Sequence, residues 1–320
     1  IIVPGKLFEN LGITYLGPVD GHDIKALYKT FREAKRVDHA VLVHVITKKG
    51  KGYEPAEKNP SGFHGTGPFE IATGEPKKAA KTDSYTDVFS KVICDIGRND
   101  EKVVVITAAM ADGTGLNRFA RYFPQRFFDV GIAEEHAMTF AAGLAVGGMK
   151  PVVALYSSFL QRAYDQIIHD VCLQNLPVTL AIDRAGLVGS DGETHQGIFD
   201  LSFLSSIPNM TVLSPKNRWE MADMIRFAVD FPGPVAVRYP RGEAYEGMQE
   251  FRAPVVYGKS EVLYEEGQIA LLFVGHMSSL AEEVRTELKK EGFGCTLVNA
   301  RFVKPLDGEL LEQLSEGHRL

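Results

Sequence analysis

Between residues 84 and 239 the chain alternates short apolar runs with longer amphipathic stretches, and this alternation constrains the fold more than any other feature. The runs at 103–108, 127–130, 151–156, 178–183, 210–213 and 235–239 have the length of strands. The stretches between them read as helices at 134–146, 159–173 and 219–229. Another helix starts the series: Ser84 is a capping residue, and Tyr85, Val88, Phe89, Val92, Ile93 and Ile96 make an apolar stripe at helical spacing. Strand–helix alternation of this kind implies an α/β fold, with parallel β-sheets flanked by helices on both faces. Ligands of such folds bind beyond the carboxyl ends of the strands.

The flanks are less regular. Residues 14–16 form a short strand candidate, and Asp23 caps a helix with Ile24, Leu27, Tyr28 and Phe31 as its apolar positions. Residues 40–47 read as a buried strand, followed by a loop rich in Gly, Pro and Lys. Residues 74–83 lack apolar periodicity and read as a linker. Residues 254–266 read as a second connection, before a strand at 269–275, a helix at 280–291 and a strand at 295–299. Two strands cannot close a sheet domain, so Leu271, Phe273 and Val298 are expected to be poorly covered, and both chain ends read as truncations. The resulting division is 1–82, 83–256 and 257–320.

A net charge of −6 without a Lys/Arg-rich run argues against a nucleic-acid partner. The most apolar window, 137–156, is broken by Gly147, Gly148, Lys150 and Pro151, so it reads as helix, turn and strand rather than a membrane span. No basic segment precedes an apolar core at the start, so no signal peptide is read. Cys94, Cys172 and Cys295 stand singly in apolar surroundings, as buried thiols of a reduced cytoplasmic protein do. Neither H-x-x-x-H nor C-x-x-C occurs, so no zinc-type site is read.

Polar groups crowd the turns between residues 129 and 200. The motifs there are DVGIAEEHA, YSSFLQRAYDQ and DRAGLVGSDGETHQG, with RYPRG following at 238–242. Together they resemble the 1-deoxy-D-xylulose-5-phosphate synthase family, relatives of transketolase that depend on thiamine diphosphate (ThDP). The resemblance runs the length of the chain but covers only part of such an enzyme. It implies a ThDP-binding fold in several domains. It also implies a cytoplasmic homodimer that condenses pyruvate with D-glyceraldehyde 3-phosphate for isoprenoid and thiamine synthesis.

The resemblance also implies roles for residues. A carboxylate must stand against the cofactor's pyrimidine ring, and in I-A-E-x-H-A the family places it at Glu134 rather than Glu135. Two acids at a helix start also suit the helix dipole without any catalytic role. Phe159 would stack on the aminopyrimidine, and Tyr53 would also touch the cofactor. His195 and His64 would work around the substrate carbonyl and carboxylate. Tyr156, Arg162 and Asp191 match a hydrogen-bonded network over the site, in which an Arg–Asp pair gains from bidentate geometry. Arg184 and Arg241 would hold the substrate phosphate, for which guanidinium is matched. The family holds Mg²⁺ and the diphosphate with Gly-Asp-Gly followed by asparagine. The Asp-Gly pairs at 20–21, 112–113, 191–192 and 307–308 are not preceded by glycine, so no metal ligand is expected in this chain. This piece alone is therefore expected to be inactive. The competing readings are a transketolase or 2-oxoacid dehydrogenase β-type subunit and, in another class, a non-catalytic partner subunit.

Overall fold

Ser84 and Asp87 exchange hydrogen bonds as a capping box: Asp87 N–H donates to Ser84 Oγ at 3.1 Å, and Ser84 N–H donates to Asp87 Oδ2 at 2.9 Å. The helix they start, Tyr85–Asn99, buries Tyr85, Val88, Phe89, Val92 and Ile93. The computed structural model describes residues 5–77, 82–189 and 191–320, so residues 78–81 of the expected linker lie outside the described residues. The chain forms two compact units, Ile1–Ala79 and Ala80–Leu320.

In the first unit, β1 (Thr14–Asp20) pairs in parallel with β2 (Val41–Ile46). The helix Ile24–Ala34 is capped by Asp23, whose carboxylate accepts from Lys25 N–H and Ala26 N–H. The burial expected at 40–47 is not found: Ile46 is 54% exposed and Val45 is also exposed. Ile24, Tyr28 and Phe31 of the helix are exposed too. A two-stranded sheet has too few neighbours within this unit to cover both faces.

The second unit is built on a seven-stranded sheet. β3 (Val103–Thr107), β4 (Phe127–Asp129), β5 (Lys150–Tyr156), β6 (Thr179–Asp183), β7 (Thr211–Leu213) and β8 (Val235–Arg238) pair in parallel. Three strands near the chain's end, β9 (Glu261–Tyr264), β10 (Ile269–Phe273) and β11 (Cys295–Asn299), form a separate sheet of their own. A further strand, β12 (Phe302–Lys304), joins the large sheet antiparallel to β7, giving the order β12-β7-β8-β6-β5-β3-β4. One face carries Tyr85–Asn99 and Arg218–Asp230, and the other carries Glu134–Val146 and Asp200–Ser206, each over its own apolar cluster. Helices on both faces explain why β3 and β6 are buried along their whole length. The chain steps from β3 outward to β4, then crosses back to β5 on the other side of β3. That reversal opens a crevice at the carboxyl ends, where such folds hold ligands.

Several expectations need correction. The helix expected at 159–173 is a succession of short pieces ending in π-helical turns at Ile167–Cys172. The segment read as a connection at 254–266 contains β9, which pairs antiparallel with β11. With β9 and the helix Ser278–Lys290 in place, Phe273 is 4% exposed and Val298 is fully buried. Leu271 packs partly buried against the same cluster. The expected exposure of these three residues is therefore not found.

Candidate active site

β5 and β6 end side by side, with Tyr156 opposite Asp183 in the register. One turn beyond β5 the Phe159 ring stacks on Tyr156, with centroids 5.7 Å apart and planes at 26°. Arg162 follows, its guanidinium 5.1 Å from the Phe159 ring centroid. Arg162 Nη1 donates to Glu134 Oε1 at 2.7 Å. Glu134 is the first residue of the helix that leaves β4, where the positive end of the dipole favours a carboxylate. It is 1% exposed, whereas its neighbour Glu135 is exposed. Its second oxygen, Oε2, is buried with no hydrogen-bond partner. An orphaned buried acceptor costs about 1–3 kcal/mol, so it marks a place for a donor brought by a ligand. An aminopyrimidine, with a ring nitrogen to share a proton and a flat face for Phe159, fits these two groups.

Beyond β6 the backbone of Arg184 takes φ +58°, which turns its side chain back over the strand end. Arg184 Nη1 donates to Asp183 Oδ1 at 3.0 Å and to the Gly113 carbonyl at 2.8 Å, and Nε donates to Asp191 Oδ2 at 3.0 Å. Its guanidinium lies 3.8 Å from the Tyr156 ring centroid. Asp183 is completely buried and also accepts from Thr86 Oγ1 at 2.8 Å. Burial pushes its carboxyl up to about 6, against the opposing pull of Arg184 and Thr86. Burial likewise pushes the Tyr156 hydroxyl up. A side chain at Gly113 would displace Tyr156, because a Cβ there would lie 1.6 Å from the Tyr156 hydroxyl oxygen.

Asp191 also pairs with Arg241, so one carboxylate lies between the two arginines expected to hold phosphate. Arg184 is spent on internal partners, with 10% of its side chain exposed, while Arg241 keeps 39% exposed. The His195 ring approaches Phe159 edge-on at 5.1 Å and Tyr156 at 6.2 Å.

The structure thus brings Glu134, Tyr156, Phe159, Arg162, Arg184, Asp191, His195 and Arg241 into linked contacts at the carboxyl ends of β4, β5, β6 and β8. The expected network differs in one respect. Arg162 pairs with Glu134, and Asp191 takes its arginines from positions 184 and 241. In the first unit, Tyr53 packs against Phe63 and Phe69 and donates to the Ile71 carbonyl at 2.7 Å, and His64 is exposed. Sequence reading passed over Asp183 and Gly113. Asp183 opens the DRAG motif, but an acid at a strand end carries no local sign of complete burial. Among the described residues there is no group of three or more His, Cys, Asp or Glu that could hold a metal. Nor is any described helix long and apolar enough to cross a membrane. The three cysteines are buried and unpaired.

Comparison with known proteins places these features in context. Residues 81–246 match the family model for the transketolase pyrimidine binding domain. Residues 258–320 match the transketolase C-terminal domain, and residues 1–47 match 1-deoxy-D-xylulose-5-phosphate synthase. The chain is 56% identical over 320 residues to the 1-deoxy-D-xylulose-5-phosphate synthase of Lachnoclostridium phytofermentans, covering 100% of this chain and 51% of that protein. It is 59% identical over 321 residues to the enzyme of the same name from Natranaerobius thermophilus, covering 99% and 51%. The chain therefore spans about half the length of these curated relatives. Among solved structures, one described as a split gene transketolase, inactive beta4 tetramer, aligns with a TM-score of 0.66 at 30% identity. That alignment covers 74% of this chain and 77% of the other. The transketolase of Campylobacter jejuni aligns with a TM-score of 0.63 at 19% identity, covering 98% and 59%, and shares the fold.

Proposed function

We propose, on the premise that this chain belongs to the transketolase-like family that includes the 1-deoxy-D-xylulose-5-phosphate synthases, that it is part of such a synthase. The observation that carries the reading is Glu134: a buried carboxylate within I-A-E-E-H-A, paired through one oxygen and free at the other, beside an aromatic wall. The whole enzyme would be a cytoplasmic transferase that condenses pyruvate with D-glyceraldehyde 3-phosphate and releases CO₂. Residues 1–82 would close a diphosphate-binding domain, 83–256 would form the pyrimidine-binding domain, and 257–320 would belong to a C-terminal domain.

When bound, ThDP would supply an acidic carbon as nucleophile and an electron sink for decarboxylation. The chain's own residues do the rest. Glu134 Oε2 shares a proton with the pyrimidine ring nitrogen, and Arg162 fixes which oxygen is left free for it. Phe159 would cover the pyrimidine face. His195, edge-on to Phe159, would orient the substrate carbonyl. Arg241 offers its exposed guanidinium to the aldehyde's phosphate, with Arg184 behind it. Mg²⁺ would be bound by residues outside this chain, because no Gly-Asp-Gly motif occurs in it. A homodimer agrees with Val146, at the end of the Glu134 helix, and Leu173 remaining exposed at 69% and 58%.

Product analysis of the complete enzyme with pyruvate and D-glyceraldehyde 3-phosphate tests the reading. We expect 1-deoxy-D-xylulose 5-phosphate and CO₂. A product from a ketose donor instead of pyruvate would assign the protein to the transketolases. The 320-residue chain by itself is expected to show no turnover and only weak binding of Mg²⁺–ThDP by titration calorimetry.

A further inference from the structure

Asp191 and His195 are carried on a hairpin whose base is a pair of glycines. Gly186 N–H donates to the Gly197 carbonyl at 2.7 Å, and Gly197 N–H donates back to the Gly186 carbonyl at 2.8 Å. The base cannot carry a side chain at 197, since a Cβ there would lie 2.2 Å from the Arg184 carbonyl oxygen and 2.7 Å from Ser157 Oγ. Above the base, no further backbone pair joins the two limbs among the described residues. A side chain takes over that task. Gln196 Oε1 accepts from Val188 N–H at 2.8 Å, and Gln196 Nε2 donates to the Val188 carbonyl at 2.8 Å and to the Gly192 carbonyl at 2.8 Å. The carboxamide therefore pairs with both polar groups of Val188, as a peptide group of a neighbouring strand would. It also ties in the residue next to Asp191. Val188 is 3% exposed, so its N–H and C=O depend on these partners.

We propose that Gln196 is a positioning residue of the synthase site, whose carboxamide sets where Asp191 and His195 stand. The inference rests on the functional reading above. The side chain that follows the brace in space is His195, edge-on to Phe159, and the one bound to its far limb is Asp191, between Arg184 and Arg241. Only a carboxamide offers the required acceptor and two donors together. An ionised carboxylate of the same length keeps the acceptor but turns a negative oxygen toward two carbonyls.

The test uses the complete enzyme with Gln196→Ala and Gln196→Glu. Gln196→Ala is expected to lower kcat/KM for D-glyceraldehyde 3-phosphate by about 100-fold, the scale of a misplaced site group, while ThDP affinity stays at the wild-type level. Gln196→Glu supplies the signature that a general loss of structure does not. Two facing carbonyls and partial burial raise the new carboxyl's pKa, and its neutral form restores one donor and one acceptor. The ratio of mutant to wild-type kcat/KM is therefore expected to rise as pH falls from about 8 to about 6. Wild-type kcat/KM in Gln196→Ala overturns the proposal. So does a Gln196→Glu ratio that is flat over that range, a result still readable if the alanine variant does not fold. If the wild-type enzyme makes no synthase product at all, it is the functional reading that fails, and that outcome is seen before any variant is measured.

Discussion

Arg162, which follows β5, meets Glu134, at the start of the helix after β4, Nη1 to Oε1 at 2.7 Å, and this contact leaves the carboxylate's other oxygen buried and unpaired. Glu135, one residue on and about 100° around the helix, is exposed. Glu134→Ala in the complete enzyme is expected to lower kcat by at least about 100-fold, the lower range of a lost proton-transfer group. Glu135→Ala is expected to stay within about threefold of wild type, as surface substitutions do. Steady-state rates of the two variants decide, and equal losses would remove the assignment.

The two arginines should separate. Arg241→Ala is expected to raise KM for D-glyceraldehyde 3-phosphate by about 10-fold or more, with little change for pyruvate, since a charge-assisted hydrogen bond contributes about 1.5–3 kcal/mol. Arg184→Ala should also lower the melting temperature, because it leaves Asp183 buried without its cation, a loss of about 3–5 kcal/mol. KM measurements with both substrates, beside thermal unfolding, distinguish them. A parallel rise of both KM values in Arg241→Ala would make that residue structural.

Asp183 predicts a pH dependence. Its folded-state carboxyl titrates near 6 against a reference of 3.8, so the folded form holds the proton more tightly than the unfolded chain does. The associated stability is fully present below about pH 4 and is lost as pH rises through about 6. The difference of about two units corresponds to about 3 kcal/mol. Asp183→Asn carries no such penalty. Its melting temperature relative to wild type is therefore expected to climb between about pH 4 and about pH 6 and to level off above that. A difference that stays constant with pH would show that Arg184 keeps Asp183 ionised throughout.

Lys216, Glu220, Glu261 and Arg301 form a buried ring of alternating charge that ties the last segment to the parallel sheet. Lys216 Nζ lies 3.1 Å from Glu220 Oε1 and 2.5 Å from Glu261 Oε2, and Arg301 contacts the same two carboxylates at 2.8 and 3.0 Å. Glu220→Ala leaves two buried cations with one anion and is expected to destabilise by about 3–5 kcal/mol. Thermal unfolding, with limited proteolysis of the connection at 240–260, reads the effect. An unchanged melting temperature and cleavage pattern would mean that apolar packing alone holds the segment.

The sequence by itself determined the parallel sheet and its flanking helices, because hydrophobic period is a local property that each element carries in its own residues. The helix Glu134–Val146 and the strand Cys295–Asn299 have the bounds read from their patterns. The family resemblance of the motifs named eight of the residues that gather at the carboxyl ends, though not Asp183 or Gly113. Tertiary structure decided whatever depends on a partner distant along the chain. Residues 261–264 look like connection because their apolar run, Val262–Tyr264, is only three residues long between polar neighbours, yet the strand forms and Glu261 is buried, because Lys216 and Arg301 neutralise it. Residues 302–304 are too short to show a period, and the edge of β7 gives them their place. The pattern at 40–47 promised burial that its unit has no neighbours to supply. Which of two adjacent glutamates faces inward, and which arginine each acid takes, follow from packing across the sheet. Residues from β4, β5 and β6 meet there only after the strands have paired.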